Sequence, residues 1–224
     1  MQKINWQYAF GEIFLIFIGI TLAIAFQNWN EKRKEHNMER AALQQISIAL
    51  QNDLKDINAN INTHTRGIKG CQEALEILSS DTKLKGPEVI QKMVQIIDFT
   101  FLVSDVSAYE YLKSVGLQLI KNDSVRAQIS NLYDVIYEGV YGVENNSEHI
   151  QKNLTSSIRK YYSASSDEPF FVFVGDANRL KNDNQLKFDI KNMEFSHSIM
   201  KRRYVQKVKP ELEKLIQMVE NELN

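Results

Sequence analysis

Residues Tyr8–Asn30 read YAFGEIFLIFIGITLAIAFQNWN, and this stretch decides the architecture. Between Phe10 and Phe26 the only strongly polar side chain is Glu12. From Tyr8 to Phe26 a helix would be about 28 Å long at about 1.5 Å per residue, close to the hydrocarbon thickness of a bilayer. Backbone polar groups in lipid must find partners within the segment, so the spanning form is helical. Trp6 and Tyr8 mark one interface and Trp29, with Asn28 and Asn30, marks the other.

Two other readings compete for the same residues. Ala23-Ile24-Ala25 has the small-x-small form of a signal-peptide cleavage site, but Glu12 in the apolar run and a single Lys3 before it argue against one. A buried core helix of a soluble protein fails on the length of this run together with its all-round apolarity. Glu12 lies about one turn from Tyr8, so the reading favoured for it is a headgroup-level carboxylate at the positive end of the helix dipole. The alternative is a partner-facing acid within the membrane. Gly19 and Ala23 form a small-xxx-small pair that would let a second helix approach closely, a pattern common in any apolar helix.

Working outward, residues 1–7 form a short flank, 8–30 the transmembrane helix, and 31–224 a polar body. The chain has 224 residues, nine Gly, three Pro and one Cys, which is a helical composition with no disulfide framework and no cysteine metal site. A net charge of −1 supplies no field for nucleic acid. The body reads as helices over about 31–78, 87–98, 108–115, 123–162, 185–191 and 195–223. In the first, Leu54, Ile57, Ile61, His64, Ile68, Cys71, Leu75 and Leu78 make a heptad-like stripe, with His64 a packed core histidine. Gly67 and Gly70 weaken that helix locally, by about 1 kcal/mol each relative to Ala. Phe99–Ser104 reads as a short extended run, and Pro210 should kink or restart the last helix.

Tyr133, Tyr137 and Tyr141 fall on one helix face and read as half-buried packing with wet hydroxyls. Phe170–Val174, FFVFV, reads as a core plug or as a strand paired with 99–104. The alternative is an interfacial dip, if the helix from Asn122 returns the chain to the membrane. Lys201, Arg202, Arg203, Lys207 and Lys209 cluster on the last helix and read as a solvated face.

The span resembles the opening of a family of uncharacterised single-span membrane proteins from Bacteroidota. The resemblance rests on Tyr8, Ala9, Gly11, Glu12, Ile13, Gly19, Asn28, Trp29, Asn30 and Glu31. A second block matches at Ser107, Ala108, Tyr109, Leu112, Gly116, Ile120, Asn122 and Tyr133. It implies location and architecture, not chemistry.

Catalytic signatures are missing from the sequence. Glu194 and His197 have the Glu-x-x-His spacing of di-iron bundles, but there is no second copy. No HExxH, nucleophile elbow or phosphate loop occurs. The expectation is therefore an all-α protein: a transmembrane helix running into an elongated antiparallel bundle, without catalytic, cofactor or metal residues. It would act as an interaction, scaffold or accessory protein of the cell envelope, with the bilayer and a protein partner or second copy as its contacts. A ligand-sensing bundle is the alternative and an enzyme the third. Lys32, Arg33, Lys34 and Arg40 after the span favour a cytoplasmic body. The resemblance points the other way, and the reading leans to a periplasmic one at the inner membrane.

Overall fold

The computed structural model describes residues 6–164, 171–173 and 176–224. One unbroken helix, α1 (Trp6–Ser79), carries the whole architecture. Its 74 residues extend about 110 Å at about 1.5 Å per residue. From Phe10 to Ala41 it is exposed apart from half-buried Glu39. Among the described residues it is the one helix long and apolar enough to cross a membrane, with a mean hydropathy of 2.0 and none of that window buried. From Ala42 the same helix turns into the spine of a packed bundle.

The bundle runs alternately away from and toward the stem. After α1, a turn leads to α2 (Gly86–Ile97), an irregular strap over 98–106, α3 (Ser107–Val115) and a 3-10 turn at Leu117–Leu119. These bring the chain back to the stem, where the Lys121 amide donates to Glu39 at 2.6 Å and its ammonium meets Glu35 at 3.0 Å. Gly116 makes the reversal with φ 103, a left-handed conformation that strains any other residue. Asn122 then caps α4 (Asp123–Asn131) by accepting from the amides of Ser124 and Val125. A π-helical segment, Leu132–Tyr137, and α5 (Glu138–Arg159) extend that helix outward again.

At the far end a two-stranded hairpin joins β1 (Tyr162–Ala164) to β2 (Phe171–Phe173), with Tyr162 opposite Phe173. After a 3-10 turn at Ala177–Asn182, Asp183 caps α6 (Asn184–Arg203) through the Leu186 amide. A second π segment, Tyr204–Val208, and α7 (Lys209–Leu223) return to the stem, where Asn122 donates to Glu222 at 2.6 Å.

Three sequence expectations change and one, at Pro210, is met. The long helix expected over 123–162 stops at Arg159, because the chain enters the hairpin. The helices expected over 185–191 and 195–223 are one rod, since polar Ser196 and His197 are buried against α5 and α1 and not exposed in a break. Pro210 brings the expected restart: it sits in the first turn of α7, directly after the π segment. A proline clashes with the carbonyl four residues before it, and a widened turn at that place relieves the clash. Finally, β2 pairs with β1 and not with 99–104, which forms no strand. The helix from Asn122 leads away from the stem, so the hairpin lies at the end remote from the apolar span. Phe170 and Val174 lie outside the described residues.

The interior divides into two apolar cores. The one nearer the stem gathers α1 residues Ala42 to Ile57 with α3, α4, α7 and both π segments. The remote one gathers Cys71, Ala74 and Leu78 with α2, the end of α5 and the start of α6. Burial pushes the Cys71 thiol up to about 12, leaving it inert at neutral pH.

Candidate functional site

The strap lies along a polar seam that the hydrophobic pattern does not mark. Its backbone has no neighbouring strand, so its amides must find other acceptors. Leu102 N–H donates to Glu144 of α5 at 2.7 Å. Val103 N–H donates to Asp56 of α1 at 3.0 Å. Asp105 N–H donates to Asp53 at 2.8 Å. In return the Asn60 amide donates to the Phe101 carbonyl at 3.1 Å, and Thr100 Oγ1 donates to Asn60 Oδ1 at 2.6 Å. Four side chains of two helices thus do what a sheet partner does elsewhere.

Tyrosines close the seam. Tyr137 donates to the second oxygen of Asp53 at 2.8 Å, and Tyr204 donates to Glu144 at 2.7 Å. Both tyrosines sit in π segments, one in each rod, where an extra residue per turn redirects side chains. Tyr133 stacks on Tyr109 at 4.6 Å, and Tyr109 donates to Asp134. Tyr141 and Ser104 share a hydrogen bond of 2.5 Å. Burial raises the Asp53 carboxyl to about 6, against the two hydrogen bonds that hold it down. Burial also raises the Glu144 carboxyl.

Between the two cores His64 of α1 meets His197 of α6, Nδ1 to Nδ1 at 3.0 Å. One ring must donate at Nδ1 and the other accept there, so with both rings neutral they are of opposite tautomer. Neither Nε2 has a hydrogen-bond partner. Phe99 packs edge-on against His64, and Tyr204 stacks on its other side at 5.8 Å. Desolvation lowers His64 to about 3, helped by His197, and lowers His197 to about 4 against the pull of Asp98.

Both imidazoles take up protons readily only when the chain unfolds, where the ordinary value is 6.5. Their contribution is complete above that pH and is lost below it, by about 1.4 kcal/mol per ring at a pH about one unit lower. Asp53 has the opposite sign: its folded carboxyl holds a proton near pH 6 that the unfolded chain releases, which returns about 1 kcal/mol. A net loss of about 2 kcal/mol between about pH 7.5 and 5.5 is expected in urea unfolding. A stability that is flat or rises over that interval would contradict neutral burial of the pair.

The residues singled out from sequence fall into two places. Glu12, Gly19, Ala23 and Trp29 lie on the exposed stem of α1, and a Cβ at Gly19 would meet nothing within 4 Å. The side chain of Tyr8 lies outside the described residues. Phe26 packs beside Trp29 at 5.8 Å and the Arg33 guanidinium lies 5.7 Å from the Trp29 ring. The second set builds the strap's end: Ser107 N–H and Oγ donate to Asp105, Ala108, Tyr109 and Leu112 are buried, Gly116 reverses the chain, Asn122 caps α4, and Tyr133 stacks. Glu194 accepts from Gln72 at 2.7 Å and is not joined to His197. Among the described residues no group of three or more His, Cys, Asp or Glu is placed to hold a metal ion. Asp53, Asp56, Asn60 and Glu144 escaped sequence reasoning; the signal available was polar residues at heptad positions of α1. A cleft of about 470 Å³ also opens between the remote end of α1 and α2, floored by Leu78, Leu84, Val89 and Met93.

A family model described as "Family of unknown function (DUF6090)" matches residues 12–171, from the apolar segment through the strap to the hairpin. No curated protein and no solved structure matches the chain.

Proposed function

We propose that this chain, which belongs to that family of unknown function, is a single-span membrane protein whose helical body serves as a non-enzymatic interaction or scaffold module of the cell envelope. The observation that carries the reading is the continuity of α1, exposed and apolar near its start and the spine of the bundle beyond Ala42. A rigid helix holds the body at a fixed height and angle above the bilayer. Trp29, with Phe26 and Arg33 around it, suits the headgroup level that aromatic and cationic side chains occupy. The seam's carboxylates and tyrosines are spent on the strap's backbone and on each other, which supports a shape-holding role over a reactive one. We favour an extracytoplasmic body on the resemblance of the span to proteins with a basic amino-terminal flank, against Lys32, Arg33, Lys34 and Arg40 on the other flank.

Topology tests this directly. In a Cys71→Ala background, Asp81→Cys places one thiol on the exposed turn at the remote end of the body. Intact spheroplasts are then treated with a membrane-impermeant maleimide and fractionated. Labelling before lysis, with the chain in the carbonate-resistant membrane fraction, is the expected result. Labelling only after lysis reverses the orientation, and recovery in the soluble fraction overturns the anchor.

A further inference from the structure

We propose that copies of this chain associate side by side in the membrane, the outer face of α6 of one copy seated on the strap of the next. This rests on the anchoring reading, which sets every copy upright at one height.

The two surfaces are complementary in kind. The stretches Asp98–Lys113 and Leu132–Glu138 carry five carboxylates, Asp98, Asp105, Glu110, Asp134 and Glu138, against one base, Lys113, which pairs with Glu110. Among them Phe101, Val103 and Val135 are 40%, 73% and 62% exposed, a large apolar area for a segment so acidic. On α6 and the π segment that continues it the outward positions run Lys191, Phe195, Arg202 and Val205, with Phe195 64% and Val205 45% exposed. Lys201 and Lys207 flank them. One face offers apolar side chains rimmed by acids and the other offers apolar side chains rimmed by bases, in a chain whose net charge is only −1.

Position makes them partners across copies. Glu144 holds both surfaces: it accepts from the strap amide of Leu102 and from Tyr204 at the end of the α6 band. They therefore stand at one level along the bundle. Lys209 reaching Asn58, within the Asp53–Asn60 span that fastens the strap, gives the same level on α1. α6 packs on α1 and α5, and the strap is tied to the same two helices and meets the buried face of α6, where Phe99 packs on His197, so the outward band of α6 faces away from it. A chain cannot close its own α6 band on its own strap, but a neighbour in the same bilayer meets it without vertical offset. The contact is head-to-tail, so it grows into a row or a ring.

The test uses the full chain in membranes, in a Cys71→Ala background. Copies bearing Val103→Cys and differently tagged copies bearing Val205→Cys are co-expressed and treated with a short bis-maleimide. Both sites are exposed, so the fold is not at stake. Mixed dimers should exceed like-with-like dimers roughly tenfold, as a heterologous contact requires. Arg202→Glu with Lys207→Glu on both sets of copies should abolish them. Asp134→Lys with Glu138→Lys added to the Val103→Cys copies should restore the link to the reversed Val205→Cys copies. Like-with-like dimers in excess, or no cross-link from chain present in the membrane fraction, overturns the pairing and leaves the anchor standing. Chain in the soluble fraction overturns the anchor, and the alignment with it.

Discussion

Asp53→Ala is expected to destabilise the body by about 4 kcal/mol, the largest loss from any single truncation in the seam. The carboxylate is fully buried and uses both oxygens, one on the Asp105 amide and one on the Tyr137 hydroxyl. Truncation leaves two buried donors without acceptors, at about 1–3 kcal/mol each, and a cavity besides. In a bundle of this size that is a fall in Tm of roughly 10 °C. Asp53→Asn should behave differently. Its carbonyl can keep the Asp105 amide while its NH2 donates to the Tyr137 oxygen, so only the Tyr137 hydroxyl proton loses its acceptor, at about 1 kcal/mol. The amide also avoids burying a charge whose carboxyl is already raised to about 6. The Asn variant should stay within about 1 kcal/mol of the parent and lose the part of the acid response that Asp53 supplies. Hydrogen exchange reads the local effect: the Asp105 amide should lose protection in the Ala variant and keep it in the Asn variant. Equal stability of the Ala variant and the parent would mean the strap does not depend on this carboxylate.

How far the fold was legible follows from the same residues. The exposed apolar run, the helical body and the reversal near Gly116 are written in composition and spacing. The innermost line of α1 was legible only in part. It runs Leu43, Ile46, Leu50, Asp53, Ile57, Asn60, His64, Gly67, Cys71, Ala74 and Leu78, in steps of three and four. The hydrophobic pattern picked Ile57, His64, Cys71 and Leu78 on that line, took in Leu54, Ile61, Ile68 and Leu75, which are only half-buried flanks, and missed Asp53, Asn60, Gly67 and Ala74. Every second or third true seam position is polar or very small, because there α1 meets a strap needing acceptors or another helix at close range. A rule that places apolar residues inside cannot find a core whose job at those levels is to satisfy backbone. The hairpin and the π segments were hidden for a related reason. They depend on what packs across from them and not on local propensity.

Gly67→Ala turns that lesson into a measurement. Helix propensity alone predicts a gain of about 1 kcal/mol. The structure predicts a net loss of about 2 kcal/mol, since overpacking a filled site costs up to about 3 kcal/mol and offsets the propensity gain. A Cβ there would stand 2.4 Å from His197 Nε2, 2.5 Å from Cε1 and 2.6 Å from Cδ2. The ring cannot retreat freely, being held by His64 at 3.0 Å and packed beside Phe99. Gly142 supplies the control: a Cβ at that position meets nothing within 4 Å, so Gly142→Ala should show the propensity gain of about 1 kcal/mol undiminished. A double-mutant cycle isolates the contact. In a His197→Ala background the obstructing ring is gone, and Gly67→Ala should become neutral or stabilising, a coupling of about 3 kcal/mol. If Gly67→Ala stabilises the parent as Gly142→Ala does, α6 does not approach α1 this closely. The neutral histidine pair, and the acid sensitivity argued from it, would then fall together.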